Sequence, residues 1–252
     1  MSHKIAVITG ASRGLGKSMA RHLVRQGVDI IGTYRHRADE ARSLADDIMR
    51  EGGKAAMLQL DVGDSAGFAE FAVKLGRTLA HDFQRDQFDY LANNAGVGLH
   101  APFAQTTMEQ FDLMYNVHLK GPYFLTQTLL PLIADQGRIL NISSGLARFT
   151  FPGSSAYAIM KGGIEVFTRY LAKELGERRI SVNTLAPGAI ETDFSDGMVR
   201  DNKALNQQIA SITALGRAGL PDDIGGAAAA LLADASQWIN GQRIEASGGT
   251  LL

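Results

Sequence analysis

The chain of 252 residues is 45% hydrophobic and 20% charged, with a formal net charge of -1, a balance that suits a globular protein and excludes a disordered or fibrous one. Near-neutral charge argues against nucleic acid or an anionic membrane as the main partner, no apolar run reaches the ~18 residues of a membrane span, and Met1-Ser2-His3-Lys4 has no leader character. Cysteine is absent, which rules out disulfides and thiol catalysis and fits a reducing cytoplasm, and the histidines are too scattered for a metal site.

In chain order, "KIAVIT" reads as a buried strand and Leu15 to Gln26 as a helix with Met19, Leu23 and Val24 inward. "VDIIGTY" is a second strand, Ala38 to Glu51 a charged helix stopped by Gly52-Gly53, and "KAAMLQLDV" a third strand. Gly67 to Phe83 is a helix, "FDYLANNAG" a fourth strand, and Met108 to Leu132 one long or broken helix. "GRILNISS" is a fifth strand, Ser155 to Glu177 a helix and "ISVNTLAPG" a sixth strand. After a polar loop come a helix over Asp222 to Leu232 and a closing strand in "QRIEASGG". Apolar strands alternating with helices require right-handed crossovers and a parallel sheet covered on both faces. The expected architecture is one doubly wound α/β domain over 1–252, with seven parallel strands in a Rossmann arrangement. Ligands in such folds bind at the carboxyl ends of the strands.

Those ends carry the polar signals. "TGASRGLG" lies between the first strand and first helix, with Ser12, Arg13 and Leu15 set among Gly10, Gly14 and Gly16. Free N–H groups at a helix start form an anion site, and glycine lets a diphosphate approach the backbone. A tight strand-to-helix turn would need glycine as well, so this motif alone is weak. "NNAG" (Asn93, Asn94, Ala95, Gly96) ends strand four and "SS" (Ser143, Ser144) ends strand five. "YAIMK" (Tyr157 to Lys161) opens the next helix, and Pro187-Gly188 ends strand six. The combination on one sheet edge is what carries weight.

With these motifs the chain resembles the single-domain short-chain dehydrogenases/reductases over nearly its whole length, and within them the 3-oxoacyl-carrier-protein reductases. The resemblance implies that the glycine turn holds a nicotinamide cofactor's diphosphate, that "NNAG" braces the sheet beside the adenosine, and that Asp61-Val62 line the adenine pocket. It implies a catalytic tetrad of Asn116 (in "YNVHLKG"), Ser144, Tyr157 and Lys161. Ser144 is preferred to Ser143 for its spacing from the tyrosine. It also implies that Ile190 and Thr192 fix the carboxamide after Pro187-Gly188, and that the protein is a dimer or tetramer.

The chemistry calls for the same residue types. Reducing a carbonyl takes a hydride on carbon and a proton on oxygen, and an unperturbed tyrosine at a pKa of about 10 is a poor donor. An ammonium one helical turn away is expected to lower it, and Lys161 stands at that spacing from Tyr157. Asn116 is expected to place a water that relays protons to Lys161. The cofactor is expected to be NADP(H). Tyr34 occupies the place where NAD enzymes carry an acid, and Arg35 and Arg13 suit a 2′-phosphate. The residues from about 190 to 216, with Phe194, Met198, Ile209 and Ile212, are expected to form a substrate lid.

The substrate is read as a small-molecule carbonyl or alcohol, either a 3-oxoacyl thioester or a small free ketone. The carrier-protein reading meets one departure: Asp135 and Gln136 stand where basic docking residues are wanted, although Lys173 is kept. The alternative class is a catalytically silent dinucleotide-binding sensor or scaffold subunit. Such proteins lose the Tyr or the Lys, and both are present.

Overall fold

A computed structural model describes residues 3–252; the start at Met1-Ser2, read above for a leader, lies outside them. Seven strands form one parallel sheet: β1 (Lys4–Ile8), β2 (Val28–Tyr34), β3 (Ala55–Gln59), β4 (Phe88–Asn93), β5 (Ile133–Ile142), β6 (Ser181–Pro187) and β7 (Arg243–Ala246), in the order β3-β2-β1-β4-β5-β6-β7. The strand order reverses between β1 and β4, which opens a crevice at their carboxyl ends.

Alternate residues of the strands feed two cores. Ile5, Val7, Leu91, Ile139 and Val182 face α3 (Phe68–Phe83), α5 (Gly121–Leu129) and α6 (Ser155–Glu174). Ala6, Ile8, Ala92, Leu140 and Leu185 face α1 (Gly14–Val24), α2 (Ala38–Arg50) and α9 (Pro221–Leu232). Burial on both faces explains why the strands read as apolar runs. A buried polar chain also crosses the centre. Asn93 Nδ2 donates to Thr126 Oγ1 and Asn141 Oδ1, Asn141 Nδ2 to Thr168 Oγ1, and Thr184 Oγ1 to Thr168 Oγ1. It ties α5, β4, β5, β6 and α6 to one another.

Two elements need comment against the sequence reading. The stretch read as one long or broken helix over Met108 to Leu132 is broken: α4 (Met108–Tyr115) runs into a wide π turn over Asn116–Lys120, then α5, then a 3₁₀ turn at Leu130–Leu132. Gly121 permits the break, because a Cβ there would lie 2.2 Å from the Val62 carbonyl oxygen. Strand β5 begins at Ile133, earlier than expected. "ADQG" looks like a loop, but the chain stays paired to β4 through a register shift, with Gln136 at φ 64. Among the described residues no helix is long and apolar enough to cross a membrane.

Candidate active site

One cleft of about 950 Å³ runs along the carboxyl edge of the sheet, over the β1–β4 reversal. Its first side is built from backbone. Thr9 Oγ1 accepts from the N–H groups of Asn94 and Ala95, and Asn94 Nδ2 donates to the carbonyls of Thr9 and Gly10. The N–H of Ala11 donates to the Thr33 carbonyl. These bonds fix the glycine turn against β2 and β4. Gly10 adopts φ +67, and a Cβ there would sit 2.9 Å from the Ala95 Cα; at Gly16 it would sit 2.3 Å from the Gly10 carbonyl oxygen. Glycine is therefore required at both, and Gly16 acts by closing the turn rather than by lining the cleft.

Of the residues expected at the cofactor, Gly10, Ser12, Arg13, Gly14, Leu15, Tyr34, Arg35, Asp61, Val62, Ala95, Gly96, Pro187, Gly188, Ile190 and Thr192 line the cleft. Asn93 does not: its side chain points into the buried polar chain beneath. No acid stands at the end of β2. Arg37 is paired with Glu40 at 2.7 Å, while Arg35 makes no ion pair among the described residues. Arg13 reaches Asp193 at 3.5 Å, across the cleft. A free guanidinium, a second weakly held one and a bare N–H cradle fit a dinucleotide with a 2′-phosphate.

At the far end Ser144, Tyr157 and Lys161 converge. Tyr157 and Lys161 come from successive turns of α6, and Ser144 from the turn after β5. Ser144 and Ser143 face opposite ways. Ser144 hydrogen-bonds Tyr157, while Ser143 Oγ is buried and donates to Glu165 Oε1 at 2.7 Å. Ser144 lines the cleft with Tyr157, and Ser143 braces α6.

The electrostatics differ from the expected ammonium effect. Burial raises the Tyr157 phenol above its ordinary value, and the Ser144 hydrogen bond only opposes this. Burial also brings Lys161 down to about 7. Its Nζ donates to the Ile142 carbonyl at 2.7 Å and lies 5.4 Å from the Tyr157 ring centre. Desolvation is the leading cause for both side chains, because each loses water on being packed under the cleft.

Asn116, expected to place a water near Lys161, does not itself line the cleft. It begins the π turn, half-buried, and its carbonyl accepts the Gly121 N–H. Two residues on, His118 lines the cleft, 1% exposed, with its ring edge-on to Tyr157 at 5.0 Å. The sequence reading does not single out His118, because nothing local marks the π turn that sets which residue faces inward.

The remaining wall is apolar. Val97, Leu99, Leu146, Phe149, Phe151, Phe194, Met198, Ile209 and Ile212 line it. Phe194 lies 6.0 Å from the Tyr157 ring. It begins a turn (Phe194–Gly197) in which Ser195, Asp196 and Gly197 all have positive φ, followed by α7 (Met198–Asp201) and α8 (Lys203–Ser211).

The family model described as enoyl-(acyl carrier protein) reductase matches residues 10–250. Tetrahydroxynaphthalene reductase PfmaG of Pestalotiopsis fici is 32% identical, over 98% of this chain and 91% of its own. Among solved structures, the reductase LugOII, which catalyses keto-reduction at C1 during lugdunomycin biosynthesis, is 36% identical at a TM-score of 0.93, covering 99% of this chain and 98% of its own. The angucycline C-6 ketoreductase LanV with bound NADP is 34% identical at a TM-score of 0.93, covering 98% of this chain and 95% of its own.

Proposed function

This chain belongs to the short-chain dehydrogenase/reductase family and is an NADP(H)-dependent oxidoreductase that interconverts ketones and secondary alcohols; we propose that its substrates are flat, aromatic or polycyclic ketones, with Tyr157 as the general acid. The observation that carries this is the apolar wall around the Tyr157 ring, formed by Val97, Leu146, Phe149, Phe194, Met198 and Ile209. Such a wall gains from burying a rigid ring system, which loses little conformational entropy on binding. Two of the relatives above are named for tetrahydroxynaphthalene and for an angucycline, which supports this reading.

NADPH supplies the hydride when bound. Arg13 and Arg35 would hold its 2′-phosphate, the glycine turn its diphosphate, and Ile190 and Thr192 its carboxamide. Ser144 orients the substrate carbonyl oxygen. Tyr157 gives that oxygen its proton, and burial keeps the phenol protonated at neutral pH, the form reduction needs. Residues 190–216 act as the lid that excludes water. A carrier-bound thioester is disfavoured because Asp135 and Gln136 stand where basic docking residues are wanted, and Asp135 ties up the neighbouring Arg178 at 2.7 Å. The cysteine-free chain suits the cytoplasm.

The exposed Phe111, Tyr115, Tyr123, Phe124, Val166 and Tyr170 on α4 to α6 support a symmetric dimer or tetramer. A monomer by light scattering at micromolar concentration would oppose it.

The test is a substrate panel with NADPH: fused-ring aryl ketones, short aliphatic ketones, and 3-oxoacyl thioesters free and on carrier protein. Fused-ring ketones should lead in kcat/KM by about 10-fold or more. Preference for the carrier-bound thioester would overturn the substrate reading. Y157F should lose about 10²-fold or more in turnover while still binding NADPH, and near-normal turnover would remove Tyr157 as the acid.

A further inference from the structure

We infer that Arg243, with Glu165 and Glu245, is a positioning residue for the reaction: the three side chains clamp the turn that carries Ser144 against the helix that carries Tyr157. The inference rests on the reading of Ser144 as the group that orients the substrate carbonyl and of Tyr157 as the acid.

Strand β7 is an edge of the sheet, and its side chains alternate between the two faces. Ile244 and Ala246 pack against the core under α1 and α9. Arg243 and Glu245 therefore turn the other way, towards α6. Charge on an edge strand discourages pairing with other chains, but well-solvated charge serves that purpose. These charges are enclosed. The side chains of Arg243, Glu165 and Glu245 are only 23%, 15% and 16% exposed. Charges taken out of water are costly unless their geometry satisfies them. Here Arg243 Nε donates to Glu165 Oε1 at 2.7 Å, Nη1 donates to Glu245 Oε2 at 2.9 Å, and Nη2 reaches the Ser144 carbonyl oxygen at 3.4 Å. One planar guanidinium sets all three directions, which an ammonium does not.

The two carboxylates extend the clamp. Glu165 stands one turn beyond Lys161 on α6, and its Oε1 also accepts from Ser143 Oγ at 2.7 Å. The same hydroxyl lies 3.2 Å from the Lys161 carbonyl oxygen. Glu245 Oε1 accepts from Arg148 Nη2 at 2.9 Å and from Ser247 Oγ at 2.7 Å. Ser144 and Arg148 flank a 3₁₀ turn over Gly145–Ala147, so β7 holds that turn at both ends.

Ser144 needs such a hold because of where the sheet stops. The register of β5 with β6 runs to Ile142, and the Ser143 N–H is bonded to the Leu185 carbonyl at 2.8 Å. Ser144 is the next residue out. Its carbonyl accepts from the Ala147 N–H inside the turn and, among the described residues, from Arg243 outside it. Its hydroxyl accepts the Leu146 N–H at 3.2 Å and hydrogen-bonds Tyr157. A hydroxyl that serves both a substrate oxygen and Tyr157 must be held to within about 0.5 Å, and a supporting shell of hydrogen bonds is what holds it.

The experiment places two changes in the unmodified enzyme and in S144A. R243M removes all three contacts. R243K keeps a cation between the carboxylates without the fork. Single-turnover hydride transfer from NADPH to a ketone is measured, with the NADPH dissociation constant. Each Arg243 variant should lower the rate about 10-fold and leave the dissociation constant within about twofold. S144A should lower the rate about 10²-fold. In S144A neither Arg243 variant should lower it further by more than about twofold, because the group they position is gone. If R243M fails to fold, R243K decides alone. An unchanged rate in the Arg243 variants would overturn the inference. So would the same 10-fold loss in both backgrounds, the mark of a general loosening of the fold. S144A separates the two claims. If S144A is normal, the role of Ser144 fails; if S144A is impaired while the Arg243 variants are normal, only the role of Arg243 fails.

Discussion

The cofactor side and the substrate side of this cleft are made of different material. On the cofactor side the surface is backbone, held by Thr9, Asn94 and Thr33 to three neighbouring strands, with glycine wherever a Cβ would collide. On the substrate side the surface is side chain, carried by a turn with three successive positive-φ residues and two short helices outside the sheet. A backbone cradle suits a ligand that does not change, since any shift in its atoms closes it. A side-chain wall can be re-cut residue by residue without disturbing the sheet. The two sides should therefore respond to mutation in separable ways.

The largest effect that separates them is on cofactor choice. Changing Arg13 and Arg35 together to Ala should erase most of a preference for NADPH over NADH of about 10²-fold in kcat/KM, since each charge-assisted pair to a phosphate contributes roughly 1–3 kcal/mol. Activity with NADH should persist. Placing Asp at Tyr34 in that double mutant should turn it further towards NADH. Equal kcat/KM for the two cofactors in the unmodified enzyme would break this side of the comparison.

Lys161 sits at the seam, and its burial has a cost that pH reveals. Its folded-state value is about 7 against the ordinary 10.5. Between those values the unfolded chain binds a proton that the folded chain does not. Stability from this group therefore rises with pH, by at most about 1.4 kcal/mol per unit, and below about 7 the penalty is present in full. Denaturant titrations of the unmodified protein and K161M should diverge in slope from pH 7 to 10. Parallel curves would mean that Lys161 is solvated after all.

The contrast also explains what could be read from sequence. Gly10 and Gly16 advertise the cradle because no other residue fits there. Tyr157 and Lys161 were legible because one helix carries both, so their spacing is their geometry. The seven strands were legible because burial on both faces leaves no polar alternation. His118 was not, because its place in the cleft depends on a π turn, and nothing local marks such a turn. Asn93 belongs to the motif expected to brace the sheet, and its side chain turns into the buried polar chain rather than the cleft, since a strand sends successive side chains to opposite sides. The opposed shifts of Tyr157 and Lys161 depend on the depth of both groups, which spacing does not encode.

On the substrate side, F194A removes the ring that lies 6.0 Å from Tyr157. It should raise KM for a fused-ring ketone about fivefold to 10-fold through lost apolar contact, with the NADPH dissociation constant unchanged. A matching loss of NADPH affinity would show that the two sides are not independent.

One contact crosses between them, and it gives the smallest and sharpest test. Asp193, from the lid segment, reaches Arg13 at 3.5 Å and also pairs with Arg200, the chief cause of its lowered pKa. The Arg13–Asp193 pair is about half exposed, at 45% and 44% of the two side chains, so solvent screens it. Its carboxylate nevertheless stands beside the guanidinium that a 2′-phosphate would use, and it repels that phosphate. D193N keeps the shape and removes the charge. It should raise the NADPH-to-NADH ratio of kcat/KM about twofold to fivefold, the range of a surface ion pair, and the gain should shrink at high salt. Arg200 loses its hold on the same residue, so KM for the ketone should rise slightly in the same variant. A cofactor ratio unmoved by D193N at low salt would leave Arg13 outside the phosphate site, and the preference for NADPH would then rest on Arg35.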